Sequence, residues 1–123
     1  VLPSAQRRHQ EGRRSPADRQ FFEQLLASVE DNLGDPAFSA EQLSQLLFIS
    51  YPTCLRKVKA VTGKTVKEYV RHIRICRSAR LLLEESGRNI GAIAEETGFH
   101  SNTHFTREFR KAMGCTPTEY RRG

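Results

Sequence analysis

A chain of 123 residues supports one domain, or two very small ones sharing a core, and with 37% hydrophobic residues and no Trp that core falls to Leu, Ile, Val and Phe. A net charge of +6 and a pI near 9.7 point to an acidic partner, nucleic acid or an anionic membrane surface. No run approaches the roughly 20 apolar residues of a membrane span, and Val1-Leu2-Pro3-Ser4 has no apolar stretch to serve as a signal peptide.

A start at Val1 rather than Met is expected of a piece of a longer protein. Cys54, Cys76 and Cys115 are odd in number, widely spaced and outside any Cys-x-x-Cys pair, and no His pair stands at zinc-finger spacing. They read as small apolar residues in a reducing, cytoplasmic setting. There is no Gly-rich phosphate loop, nucleophile motif or metal-ligand cluster, so no enzyme, cofactor or metal is expected.

In chain order, residues 1–15 read as a linker or disordered tail. Arg7 to Arg14 is charged and nearly free of apolar residues; a phosphate-touching basic arm is the sharper alternative. Ser15-Pro16-Ala17-Asp18 opens a helix with a buried stripe of Phe21 or Phe22, Leu25, Leu26, Val29 and Leu33, ended by Gly34-Asp35-Pro36. Ser39 opens a second helix expected to bury Leu43, Leu46 and Leu47. After a turn at Phe48-Ile49, Ser50 caps a third that buries Cys54, Val58 and Val61 and stops at Gly63. Thr65 and Glu68 form a capping box for a long helix to about Glu85, with Val66, Tyr69, Val70, Ile73, Cys76 and Leu83 near one face and Ile75, Ala79 and Leu82 beside them. Asn89 caps a further helix, and Thr116-Pro117 opens a short terminal one. No segment has period-two alternation, so the predicted fold is all-α.

Ile93 to Lys111 spells a helix-turn-helix. Ala94 is small at the crossing, Gly98 suits a left-handed stop, Phe99 plugs the core and Ser101 caps the next helix. Such a unit projects its second helix, which fits the major groove of DNA. A more worn copy runs from Leu43 to Lys59.

Together with Arg56 to Gly63, Arg74-Ile75, Leu81-Leu82, Phe105 to Arg110, Gly114 and Thr116 to Arg121, these segments resemble the DNA-binding domain of the AraC family of bacterial transcription regulators, over about residues 17–121. The resemblance implies two helix-turn-helix subdomains joined by a long connecting helix: 16–63, 64–87 and 88–123. It also implies a sequence-specific double-stranded DNA-binding regulator with two recognition helices in successive major grooves. Its partners would be RNA polymerase, if it activates, and a sensing or dimerising region outside this sequence. The first half is similar to output domains of hybrid two-component regulators. Ser44, Phe48 and Ser78 depart from the family pattern, Phe48 standing where a Gly would ease the turn.

On the second recognition helix Phe105 and Phe109 face inward, which leaves Asn102, Thr103, Thr106, Arg107 and Arg110 outward. Arg107 suits a bidentate guanine contact and Asn102 an adenine. The resemblance places Asn102, Thr103, Thr106 and Arg107 at the groove. His104, beside Phe105, packs or meets phosphate, as does Arg110. On the first recognition helix Arg56 is the base reader by chemistry and by family position. Pro52 and Leu55 offer thymine-methyl contacts, and Tyr51 and Lys59 meet phosphate. Between Tyr51 and Arg80 nine Lys and Arg residues face one acid, Glu68, as a phosphate-facing surface requires. Arg74 and Arg77 are expected to pair with Glu95 or Glu96. The rival reading is a helical protein-interaction domain whose first helix-turn-helix is degenerate at Pro52 and Leu55.

Overall fold

Helix starts and stops set this architecture. The computed structural model describes residues 15–123, so the basic stretch Arg7 to Arg14 lies outside the described residues. Among the described residues there are seven helices and no strand: α1 Pro16–Asp31, α2 Ala40–Leu46, α3 Tyr51–Thr62, α4 Val66–Glu84, α5 Ile90–Glu96, α6 Asn102–Met113 and α7 Pro117–Arg122. The predicted caps are in place. Ser50, Asn89 and Ser101 each accept a backbone N–H from the first turn of α3, α5 and α6. Ser39, Thr65 and Thr116 form reciprocal capping boxes with Gln42, Glu68 and Glu119. Each such cap is worth about 1 kcal/mol.

The helices form two compact units, divided within α4 between Val70 and Arg71. Among the described residues one comprises 15–31 with 38–70, the other 32–37 with 71–123. In the first unit Phe21, Phe22, Leu25 and Val29 of α1, Leu43 of α2, Cys54 and Val58 of α3, and Val66, Tyr69 and Val70 of α4 are buried. Phe22 meets Tyr69 edge to face at 6.4 Å. Two sequence expectations are corrected here. Leu46 is 46% exposed and Leu47 half-buried, because the buried pair on α2 is Leu43 with Ser44. Ser44 tolerates burial by donating its hydroxyl to the Glu41 carbonyl at 2.7 Å. On α3 the inward row is Cys54, Val58 and Thr62 at strict i+4 spacing, and Val61 is half-buried. The Thr62 hydroxyl donates to the Val58 carbonyl at 2.7 Å and accepts from the Lys64 N–H at 3.0 Å, so it is satisfied inside.

The core of the second unit is Ile75, Ala79, Leu81, Leu82, Ile93, Ala94, Phe99, Phe105 and Phe109, flanked by Ile90, Met113 and Tyr120. Its rings run in sequence, Phe99 to Phe105 at 4.9 Å, Phe105 to Phe109 at 5.6 Å, and Phe109 to Tyr120 at 5.4 Å. Leu83, expected inside, is 55% exposed. Three consecutive leucines cannot share one helix face, and Leu82 takes the inner place in line with Ile75 and Ala79. Cys76 is only half-buried, its Sγ 3.7 Å from His72 Nε2.

Arginines close the ends of this unit. Arg121 donates to the carbonyls of Leu82, Glu85 and Arg88 at 3.1, 3.2 and 2.7 Å, satisfying the open C-terminus of α4. Arg74 donates to the carbonyls of Leu33 and Asp35 at 3.4 and 2.7 Å. The expected partner Glu96 instead bonds Arg88. All three cysteines are free, and burial pushes the Cys54 thiol upward, as suits a small core residue.

Candidate nucleic-acid interface

The outer face of α6 follows from its inner one. Phe105 and Phe109 are fully buried, and Ser101 fixes the first turn by accepting from the His104 N–H at 3.0 Å. Asn102, Thr103, Arg107 and Arg110 are then exposed and Thr106 half-exposed. With Lys111 these residues line one open depression on the unit's surface. Five residues singled out in the sequence for DNA contact therefore share one wall, carrying amide, hydroxyl and guanidinium groups.

His104 turns the other way. Its ring packs on Phe99 at 5.8 Å and His100 at 5.1 Å, and its Nδ1 is buried with no hydrogen-bond partner among the described residues. Burial lowers its pKa, Glu108 opposes this, and the nearby His100, Arg107 and Arg71 add to the lowering. A neutral, packed imidazole gives phosphate no cation.

Glu108, which the sequence reading did not single out, is 7% exposed on the same helix. Burial pushes its carboxyl up, but the hydrogen bond from Arg71 and the charges of Lys111 and Arg71 prevail, and it is held below the ordinary glutamate range. Arg71 Nη1 donates to its Oε1 at 3.1 Å. Arg71 stands 37 positions away, too far for any local pattern to join the two.

In the first unit Tyr51, Pro52, Leu55, Arg56 and Lys59 are exposed on α3. Thr53 is held at the cap, its hydroxyl 2.8 Å from that of Ser50. The surface of this unit is more apolar than the outer wall of α6, with Leu46 on α2, Phe48 in the turn, and Tyr51 and Leu55 on α3 all exposed. Phe48 makes the turn with φ 58° and is 94% exposed. The basic stretch from Arg56 to Arg80 divides. Arg56, Lys57, Lys59, Lys67 and Arg80 are exposed, although Lys57 Nζ rides 4.8 Å above the Phe21 ring. Arg71 and Arg74 serve structure.

A family model described as a helix-turn-helix domain matches residues 43–123. The chain belongs to the AraC family. This AraC-type domain is 36% identical over 106 residues to histidine kinase P4 of Formosa agariphila, a match covering 86% of this chain and 8% of that protein. It is 34% identical over 99 residues to the HTH-type transcriptional activator RhaS of Escherichia fergusonii, covering 80% of this chain and 35% of that one. The chain thus spans well under half of these relatives. Among solved structures, the DNA-binding domain of AdpA, a global transcriptional factor in complex with a target DNA, superposes with a TM-score of 0.72 at 26% identity, over 80% of this chain and 86% of that one. The family is one of DNA-binding transcription-regulator domains, and the domain itself is not an enzyme. Among the described residues no helix is long and apolar enough to cross a membrane, and no group of three or more His, Cys, Asp or Glu side chains could hold a metal ion.

Proposed function

We propose that this AraC-type domain reads double-stranded DNA with both recognition helices, α3 and α6, in successive major grooves, as the output module of a longer cytoplasmic regulator. Asn102, Thr103, Thr106 and Arg107 contact bases from α6, and Arg56, Pro52 and Leu55 from α3. Tyr51, Lys59 and Arg110 meet phosphate, whereas the packed, neutral ring of His104 weakens its case. The observation that carries the reading is the open depression on α6, lined by Asn102, Thr103, Thr106, Arg107, Arg110 and Lys111. Those are the side chains with hydrogen-bonding patterns for base edges and phosphate. The histidine kinase relative supports a place at the end of a two-component pathway, and the RhaS relative, a transcriptional activator by name, supports a role in activation.

Selection of bound duplexes from a random pool tests this reading. The expected motif has one sharp half and one loose half, because α6 offers Asn102, Thr106 and Arg107 whereas α3 offers chiefly Arg56 for hydrogen bonding. Affinity for the selected site should fall with salt, the log–log slope approaching roughly −0.9 per phosphate contact. Equal information in both halves would contradict the division of labour. Binding indifferent to salt would favour the rival, a protein-docking domain.

A further inference from the structure

Glu108 is an unlikely tenant for a DNA-facing helix. An ionised carboxylate repels phosphate and is costly to bury, and one cation already suffices to neutralise it. Yet its two oxygens divide their contacts. Oε1 takes the Arg71 hydrogen bond at 3.1 Å from the opposite side. Oε2 lies 3.7 Å from Nε of Arg107 and 3.9 Å from Nζ of Lys111, both of which line the outer depression. The Arg107 side chain is 65% exposed, so beyond Nε its guanidinium reaches into solvent.

We propose that Glu108 is a positioning residue for Arg107: clamped by Arg71, its carboxylate draws Nε as an ion pair at 3.7 Å, longer than a hydrogen bond, and so biases the two terminal Nη groups toward the groove. The inference rests on the reading of Arg107 as a base reader. Bidentate recognition of guanine O6 and N7 requires two parallel donors at a set angle. An unsupported arginine must freeze several rotors when it binds, and an arginine already held at Nε freezes fewer. Glu108 thus gives up some general affinity for DNA in exchange for discrimination at one base pair. Arg71 completes the device from α4, holding the carboxylate where it cannot swing out to compete for the groove.

The test measures binding of this 123-residue chain to a panel of duplexes varied at each position of the selected site. Arg107→Ala should erase a preference of about tenfold or more at one base pair. Glu108→Gln keeps the shape and the acceptor for Arg71 but removes the charge. It should lower the preference at that same pair about three- to tenfold, while random-sequence duplexes bind as tightly as before or tighter. The double variant should be no flatter at that pair than Arg107→Ala alone. Arg71→Met, at a half-exposed position, should flatten the same pair and decides the matter should Glu108→Gln fail to fold. A purely structural role would instead lower the melting temperature and weaken binding equally on all duplexes, and that result overturns the proposal. If Arg107→Ala flattens one pair and neither other variant does, the positioning role alone falls. If Arg107→Ala flattens none, the base-reader reading falls and takes this inference with it.

Discussion

His104 sits in the first turn of α6 with its ring against Phe99 and its Nδ1 buried, and burial lowers its pKa from the ordinary 6.5. The folded chain therefore resists a proton that the unfolded chain accepts. Above about 6.5 the imidazole is neutral in both states and the full stability is present. As pH falls from there toward the lowered folded value, the unfolded state alone gains protons and stability drains away. The melting temperature should drop as pH falls below about 6.5, and that of His104→Phe, which stacks on Phe99 and cannot titrate, should drop less. Equal slopes for the two proteins would show that His104 is open to water. Glu108 has a depressed carboxyl, so its contribution is present above about 4.5 and is lost only at lower pH. The two windows are separate. The sequence placed His104 beside Phe105 but offered no way to see that it faces Phe99. Glu108 was invisible as a site for the same reason, since its clamp comes from Arg71 on another helix.

At the scale of elements, the two helix-turn-helix turns do the same job with different residues. Gly98 turns at φ 86°, and a Cβ there would meet the Leu33 carbonyl oxygen at 2.1 Å and Arg74 Nε at 2.7 Å. Phe48 turns at φ 58° with its ring in solvent. Gly98→Ala combines left-handed strain with a clash against backbone and should cost about 3 kcal/mol or more. Phe48→Gly relieves strain of about 1–2 kcal/mol, less the extra backbone entropy of glycine, and should gain about 0.5–1 kcal/mol. Thermal melts of both variants read the contrast, and a destabilised Phe48→Gly would mean that the exposed ring packs on something in the folded chain. Helix boundaries were legible because Ser39, Ser50, Thr65, Asn89, Ser101 and Thr116 are local signals. Which residues of a stripe go inside was less so. Leu46 lost its place to Ser44 and Leu83 to Leu81, because the direction a helix faces is set by the element it packs on, and periodicity gives spacing without that direction. The outer wall of α6 was readable since two phenylalanines four apart fix the inner face. The fates of Arg71, Arg74 and Arg121 depend on partners more than 30 positions away; charge suggested phosphate for Arg71 and an acidic partner for Arg74, and nothing local marked Arg121.

For the whole molecule, one continuous helix, α4, carries the chain from the unit of α3 to that of α6. Its 19 residues make a rod about 28 Å long at 1.5 Å per residue. One turn of B-DNA, about 34 Å, separates successive major-groove faces. On the proposed reading one chain engages two consecutive grooves, and the difference in sequence between α3 and α6 frees the site from palindromy. Hydroxyl-radical footprinting at saturation should give two protected patches in successive major grooves, about one helical turn apart. Arg56→Ala should weaken protection in the looser patch first, leaving the patch under α6 in place. Protection confined to one groove segment at saturating protein would mean that α6 alone docks, with α3, rich in exposed Tyr51, Pro52 and Leu55, left for another partner.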